Sequence, residues 1–432
     1  MPDQNFTSPP SVMIVGAGIG GLFLGILLER AGIPYAIYER AAAVQTLGAV
    51  LSLNVNVFPA MEQLGLYEEL LNIGFVSPTA NMYNEKMKII KHMNMGLLEE
   101  NKIFFRKKVL STSHPEEGGV AIHCSDNSTY YGDILVGADG TYSGVRQSLY
   151  RSLQEKSLLP FSDTQALDIG YLTLVGTTDP MDAGNYPEVK DNFNHFHFVI
   201  GNGKPYTWYM FTVPKKKICW GVQCQLAENV AKDMSFRNTA WGSEGNEGMI
   251  KDVYNFPTPY GPLGLLIDAT PRERISKVFL EEKLFETWHH DRIVLIGDAA
   301  HKMSPSHGLG AVNAVLDAIV LANNLYEIGN SASSKNIAAA FQNYKKERYP
   351  HVHEHFKASK ILAKIMLGQK WSDKLLRKVV LRYLPDSIAN KRTIKGSAYR
   401  PQCVFLPLAP KRGTCHVLPQ KPSKRGSQLA QQ

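Results

Sequence analysis

Residues 292–318 read Arg-Ile-Val-Leu-Ile-Gly-Asp-Ala-Ala-His-Lys-Met-Ser-Pro-Ser-His-Gly-Leu-Gly-Ala-Val-Asn-Ala-Val-Leu-Asp-Ala. The apolar run 293–296 has the length and residue types of a buried strand, and it stops at Gly297-Asp298 before a stretch rich in Gly, Ser and Pro. From Val312 to Leu321 the pattern turns helical. A strand, a small-residue loop and a helix entering behind it bring backbone N–H groups and a positive helix end against an anionic or electron-accepting ligand. The stretch therefore reads as a ligand seat.

A second seat lies near the start. Val12-Met13-Ile14-Val15 reads as a buried strand, followed by Gly16-Ala17-Gly18-Ile19-Gly20-Gly21, an apolar helix to about Arg30, and a second strand ending at Glu39. This is GxGxxG in its required context: Gly16 allows the tight turn, Gly18 the approach of a pyrophosphate, and Gly21 close packing of helix on sheet. Glu39, with Arg40 beside it, falls about where an acid would meet ribose hydroxyls. Between the two seats, Leu135-Val136-Gly137 reads as a strand ending in Ala138-Asp139-Gly140, then Ser143-Gly144-Val145-Arg146. Alone, Asp-Gly would be only a turn.

Taken in order, these motifs resemble the single-component FAD-dependent monooxygenases, the aromatic-hydroxylase family, over about residues 11–390. Gly297-Asp298-Ala299-Ala300-His301 with Pro305, Gly308, Gly310, Asn313 and Asp317 looks like that family's second flavin-binding motif. The resemblance implies that Asp298 holds the ribityl chain of FAD, with Gly297 at the turn. Pro305 and Gly308 would lie along the ring, and Gly310 and Ala311 would hold its pyrimidine end. Gly16, Gly18, Gly21, Glu39 and Arg40 would take the ADP half, Gly48 would sit in a loop beside the flavin, and Asp139 with Arg146 would shape the cofactor approach. It further implies that NAD(P)H reduces FAD and that O₂ reacts at flavin C4a to a hydroperoxide, which hydroxylates or epoxidises a small apolar or aromatic substrate, as in fungal secondary metabolism. No catalytic side chain is assigned, because FAD carries the reactive step.

One interval departs from the family. Members generally carry an arginine and a helix between two strands where this chain has only His92 to Lys102, without an arginine. A natural deletion, an altered gene product or replacement by another basic residue each accounts for this, so an inactive flavoprotein remnant stands as an alternative. Another flavin oxidoreductase on the same fold is a second: Trp208-Tyr209-Met210-Phe211 matches a halogenase signature only loosely.

Residues 165–284 alternate β-branched and aromatic residues between Pro and Gly turns and read as an antiparallel sheet, which the resemblance equates with the family's inserted substrate-covering domain. Tyr171, His197, Tyr206, Trp208, Tyr209, Phe211 and Trp220 are candidates to line an apolar pocket, although alternate residues of such strands fill the core in any protein. Segment 56–74 reads as one helix, and Met82–Lys91 as one strand. Five cysteines without a CxxC pair give neither a disulfide framework nor a zinc site, and His289-His290 lack a third metal ligand.

The net charge of +8 is uneven: Lys345 to Gln432 carries 20 Lys and Arg against 4 Asp and Glu, leaving an acidic body. Helices are expected over 336–367 and 371–384. The second is basic and amphipathic, able to pack on the body or to lie peripherally on an anionic membrane. Residues 396–432 read as a flexible basic tail; nucleic-acid binding is not expected, as no folded basic motif accompanies the charge. No early signal stretch and no long apolar run point to a cytoplasmic protein. The expected fold is α/β, a Rossmann-like GxGxxG FAD-binding domain with an inserted antiparallel-sheet substrate domain and C-terminal helices. Its divisions are a lead-in 1–10, FAD-binding parts 11–164 and 285–334, substrate domain 165–284, helices 335–390 and tail 391–432.

Overall fold

The computed structural model describes residues 9–43, 51–73, 75–95, 108–115, 118–201, 205–226, 244–330, 332–383, 394–411 and 416–429. The chain opens with β1 (Val12–Val15), α1 (Ile19–Arg30) and β2 (Tyr35–Tyr38), with β1 and β2 parallel. The segment expected as one helix is two short ones, α2 (Phe58–Gln63) and α3 (Tyr67–Ile73). Gly65 at φ +75° separates them, a left-handed turn that ends a helix. The expected single strand at 82–91 is a hairpin, β3 (Val76–Asn84) and β4 (Ile89–Met95), reversed at Met87 with φ +55°.

A three-stranded meander, β5 (Val109–Ser113), β6 (Val120–Cys124) and β7 (Thr129–Gly132), leads into β8 (Ile134–Gly137), α4 (Gly144–Glu155) and the short α5 (Phe161–Thr164). Strands β9 (Asp168–Thr177), β10 (Phe193–Ile200), β11 (Tyr206–Val213) and β12 (Lys217–Gln225) follow. Then come α6 (Glu244–Val253), the two-residue strands β13 (Pro257–Thr258) and β14 (Gly261–Pro262), α7 (Gly264–Asp268) and β15 (Ser276–Leu284). The chain returns through β16 (His289–His290), β17 (Ile293–Leu295) and β18 (His301–Lys302) to α8 (Gly310–Ile328), α9 (Ser334–Leu367), α10 (Trp371–Tyr383) and α11 (Lys424–Leu429).

Two sheets carry the architecture. One has the order β16-β17-β8-β1-β2, in which β17, β8, β1 and β2 run parallel. The chain leaves β1 toward β2 on one side and later adds β8 and β17 on the other. Their carboxyl ends are a topological switch point, where open α/β sheets bind ligands. The other sheet has the order β18-β15-β9-β12-β11-β10-β3-β4. It extends beyond the expected 165–284, recruiting β3 and β4 from upstream, with β3 parallel to β10, and β18 from the second seat. Backbone pairing across the whole sheet, invisible to local pattern, decides this boundary.

The two faces of that sheet differ. His197, Trp208 and Trp220, with Leu174, Met210 and Val222, point to one side. There Trp208, Met210, Trp220 and Val222 form a buried cluster with Val253, Phe256, Leu266 and Ile267 of the α6–α7 region, against which Tyr206 also packs. Tyr171, Phe196, Phe198, Tyr209 and Phe211 occupy the opposite face, where Tyr171 and Phe198 pack against Ile365, Met366 and Leu367 at the end of α9. The seven pocket candidates are therefore split: Tyr171, Tyr209 and Phe211 share one face, and His197, Tyr206, Trp208 and Trp220 the other.

The described part of the C-terminal segment corrects the expectation of a flexible tail. Cys403 is fully buried. Gln63 accepts the Cys403 amide at 2.7 Å and donates to the carbonyls of Cys403 and Pro407, while Asn56 donates to the carbonyls of Gly396 and Tyr399 at 2.9 and 2.8 Å. Tyr399 stacks on His351 at 3.7 Å, and Glu327 accepts the Ser423 hydroxyl. The basic composition of this strap misleads because its backbone, rather than its side-chain charge, supplies most of these contacts.

Candidate active site

The three seats meet at the carboxyl ends of β1, β8 and β17. Gly16, at φ +103°, turns the chain so tightly that a Cβ there would lie 2.5 Å from the Ala138 carbonyl oxygen. Gly21 sits against the same turn: its Cβ would fall 2.0 Å from the Gly16 carbonyl oxygen. At Gly18, by contrast, a Cβ would meet nothing within 4 Å among the described residues, so there is open space at the N-cap of α1. Glu39 accepts the amides of Ala17 and Ala41 at 2.8 Å each, which fixes its carboxylate beside that opening. Arg40 is exposed next to it. Gly48 lies outside the described residues, as does the departing interval from Gly96 on.

The middle motif is built around Asp139. Its carboxylate accepts the Ser143 hydroxyl at 2.5 Å and the amides of Gly144 and Val145 at 2.7 and 3.3 Å, which caps the first turn of α4. Burial pushes this carboxyl above the usual carboxylate range, against those hydrogen bonds. Arg146 is 5% exposed, and its guanidinium donates to the carbonyls of Thr141 at 2.7 Å and Ala299 at 3.0 Å, 4.2 Å above the Phe285 ring. This corrects the expected role of Arg146: with both arms spent on buried carbonyls, it ties the middle motif to the second seat and does not face an incoming cofactor.

In the second seat Gly297 adopts φ +59° and Gly308 φ +64°, both left-handed. Asp298 accepts Lys302 Nζ at 2.6 Å and the Thr141 hydroxyl at 3.4 Å. Pro305 is exposed, and Gly308 closes its turn against Ser52, which a Cβ would approach at 3.6 Å. Gly310 and Ala311 open α8, whose N-terminus has no side-chain cap, so its first amides are available to a ligand. A Cβ on Gly310 would meet nothing within 4 Å among the described residues.

The open space at Gly18, the uncapped start of α8 at Gly310 and the carboxylates of Glu39 and Asp298 suit a long ligand with anionic, hydroxylated and ring portions. FAD has these parts. Gly16, Gly18, Gly21, Asp139, Arg146, Gly297, Asp298 and Gly310 are brought together; Gly48 is not described.

Sequence reading missed Lys302, which pairs with Asp298, and Arg348, fully buried and bonded through Nε to Asp317 at 2.8 Å. The signal for Arg348 was present: Ile337, Phe341, Tyr344, Arg348 and Val352 form one buried row on α9, and an arginine within such a row needs an internal partner. Among the described residues no group of His, Cys, Asp and Glu could hold a metal ion.

Comparisons with known proteins agree with this geometry. A family described as FAD binding domain matches residues 10–103 and 267–359, which carry the first and last motifs. The chain is 28% identical over 440 residues to the FAD-dependent monooxygenase paxM of Penicillium paxilli, covering 93% of this chain and 88% of that protein. It is 27% identical over 447 residues to the FAD-dependent monooxygenase spyC of Aspergillus fumigatus, covering 94% and 90%. Among solved structures, Klebsiella pneumoniae HpxO complexed with FAD and uric acid shares the fold at a TM-score of 0.70 and 17% identity, over 92% of this chain and 98% of that one. The 2,6-dihydroxypyridine-3-hydroxylase of Arthrobacter nicotinovorans does so at 0.65 and 16%, over 84% and 94%. With its three motifs brought to one edge of the parallel sheet, the chain matches the FAD binding domain family over the two segments that carry the first and last motifs, and over nearly its whole length it is similar to fungal FAD-dependent monooxygenases.

Proposed function

We propose that this enzyme uses NAD(P)H and O₂ to place one oxygen atom on a small apolar or aromatic substrate, by hydroxylation or epoxidation. The observation that carries the reading is the convergence of Gly18, Asp139 and Asp298 beyond the carboxyl ends of three adjacent parallel strands, β1, β8 and β17. FAD, when bound, supplies reduction by the nicotinamide and activation of O₂, so that one oxygen atom enters the substrate and the other leaves as water. The chain's own groups bind and orient. The amides around Gly18 would hold the pyrophosphate, Glu39 the ribose, Asp298 the ribityl chain, and the first amides of α8 the anionic end of the ring. Substrate would lie over the Tyr171, Phe198, Tyr209 and Phe211 face of the large sheet. That sheet meets the second seat through the pairing of β15 with β18, while its other face is covered by α6 and α7. Ala at Gly221 would strike the Tyr209 ring at 2.4 Å, so glycine lets this ring lie across the sheet.

The test is the visible spectrum of the purified protein before and after FAD is added, followed by NAD(P)H oxidation and O₂ uptake with candidate apolar substrates. Flavin bands that survive desalting, with substrate-dependent O₂ uptake, are expected. A protein that cannot be reconstituted with FAD would favour the inactive-remnant reading.

We further propose a peripheral, cytoplasmic-face contact of α10 with an anionic membrane. No helix among the described residues is long and apolar enough to cross a membrane. In α10, however, Trp371, Leu375, Val379 and Tyr383, spaced four apart, are exposed at 79%, 53%, 46% and 68%, with exposed Lys378 and Arg382 on the same side. The buried residue is instead Arg377, whose Nε donates to the Ile365 carbonyl at 2.7 Å. A Trp and Tyr row edged by cations suits the interfacial zone of an anionic bilayer. Sedimentation with phosphatidylserine-containing vesicles, lost in Trp371→Ser/Leu375→Ser, is expected; equal sedimentation of that variant would remove the proposal.

A further inference from the structure

The turn that presents Asp298 is pinned on both sides of that residue. Ala299 is held through its carbonyl by Arg146 at 3.0 Å. Gly297 and His301 are held by one carboxylate, that of Asp317 on α8, whose Oδ2 accepts the Gly297 amide at 2.9 Å and the His301 Nε2 proton at 2.6 Å. Its other oxygen accepts Arg348 Nε at 2.8 Å. Arg348 Nη2 in turn donates to Asn313 Oδ1 at 2.9 Å, and His355 Nδ1 lies 3.1 Å from the same oxygen. Asp317, Arg348 and Asn313 have no exposed surface, and His301 is 1% exposed. Residues 297, 299 and 301 are thus anchored inward, and Asp298 is left free to project toward Thr141 and Lys302.

An apolar cluster could fill this space without the desolvation cost of two buried charges. It could not hold an amide and an imidazole at fixed distance from one helix. Resting on the flavin reading above, we infer that Asp317, balanced by Arg348, is the positioning residue that sets the direction in which Asp298 offers its carboxylate to the ribityl chain of FAD. Asp317 touches no cofactor itself; it acts through the turn. The left-handed backbone at Gly297 makes the anchor necessary, because that conformation has no preference of its own to hold the turn.

A double-mutant cycle on FAD affinity tests this, read from quenching of FAD fluorescence as apoprotein is titrated in. The neutral pair Asp317→Asn/Arg348→Gln removes both charges together, so that neither is left buried alone. It is expected to weaken FAD binding at least about tenfold in the wild-type background, yet by less than about twofold once Asp298→Ala has removed the group being aimed. A general loss of structure would instead weaken binding equally in both backgrounds, and that result, or an unchanged affinity, overturns the proposal. Should the pair not fold, His301→Gln removes one arm only and is read through the same cycle. Failure of the wild-type apoprotein to take up FAD at all overturns the flavin reading itself, and the positioning role with it.

Discussion

Gly18→Ala should purify as a folded protein without flavin, whereas Gly21→Ala should lose both flavin and stability. The two glycines are three residues apart in one turn, and the surroundings of a Cβ separate their roles. At Gly18 the φ of −71° is open to any residue and the added methyl touches no atom of the described residues within 4 Å, so the fold should be unaffected. The methyl occupies the space through which a pyrophosphate would reach the amides of the first turn of α1. FAD affinity should fall by about a hundredfold or more, equivalent to roughly 2.7 kcal/mol. At Gly21 the methyl would sit 2.0 Å from the Gly16 carbonyl oxygen, a backbone atom held in a tight turn, so α1 must shift off the sheet. Overpacking of this kind costs about 1–3 kcal/mol in addition to the lost site. Thermal unfolding of the two apoproteins, beside their FAD content after desalting, checks both. A Gly18→Ala protein that keeps its full complement of FAD would place the cofactor elsewhere.

Arg348→Ala should be the most destabilising single change in the site. It leaves the Asp317 carboxylate fully buried, with the Gly297 amide and His301 among its remaining partners. Removing one partner of a buried ion pair costs about 3–5 kcal/mol, because the other charge stays behind without its counter-ion. Arg348→Lys keeps the charge but cannot span both Asp317 and Asn313, so a smaller loss is expected. Urea unfolding of the apoproteins measures the difference, and a loss below about 1 kcal/mol in Arg348→Ala would contradict the account. The pair also sets an acid limit. Burial alone would raise the Asp317 carboxyl, but the charges of His301 and Arg348 and the hydrogen bonds from His301 and Gly297 hold it below its ordinary value of 3.8. A depressed folded pKa means that the stabilisation is complete above the unfolded value and is lost as pH falls through the folded one. Neutral and mildly acidic solutions should therefore leave this part of the stability unchanged, with the loss confined below about pH 4.

Much of the site was legible because its motifs are local. A turn that only glycine can make, at Gly16 and Gly21, and a strand that runs into a small-residue loop at Gly297 constrain the residue types directly, and their order along the chain is enough to match a family. A role that depends on a distant partner is not legible in this way. Arg146 stands in a motif that implies a cofactor role, yet its guanidinium bonds the carbonyls of Thr141 and Ala299, the second 153 positions away. Segment 396–432 is basic and rich in proline, a composition that implies a loose tail, yet Asn56 and Gln63, some 340 positions upstream, bond the backbone of its described part.

By itself, then, the sequence determined the dinucleotide-type turn, the three seats and their order, and the α/β class, since each follows from short-range sterics and from the period of apolar residues. Tertiary structure alone decided three further matters: that β8 lies between β1 and β17 and so brings the seats side by side, which face of the large sheet Tyr209 and Phe211 share, and that Asp317 finds Arg348 in the core. Strand order, sheet face and ion pairing are properties of contacts between segments far apart in the chain, and no local pattern of residues encodes which of the sterically allowed partners will be met.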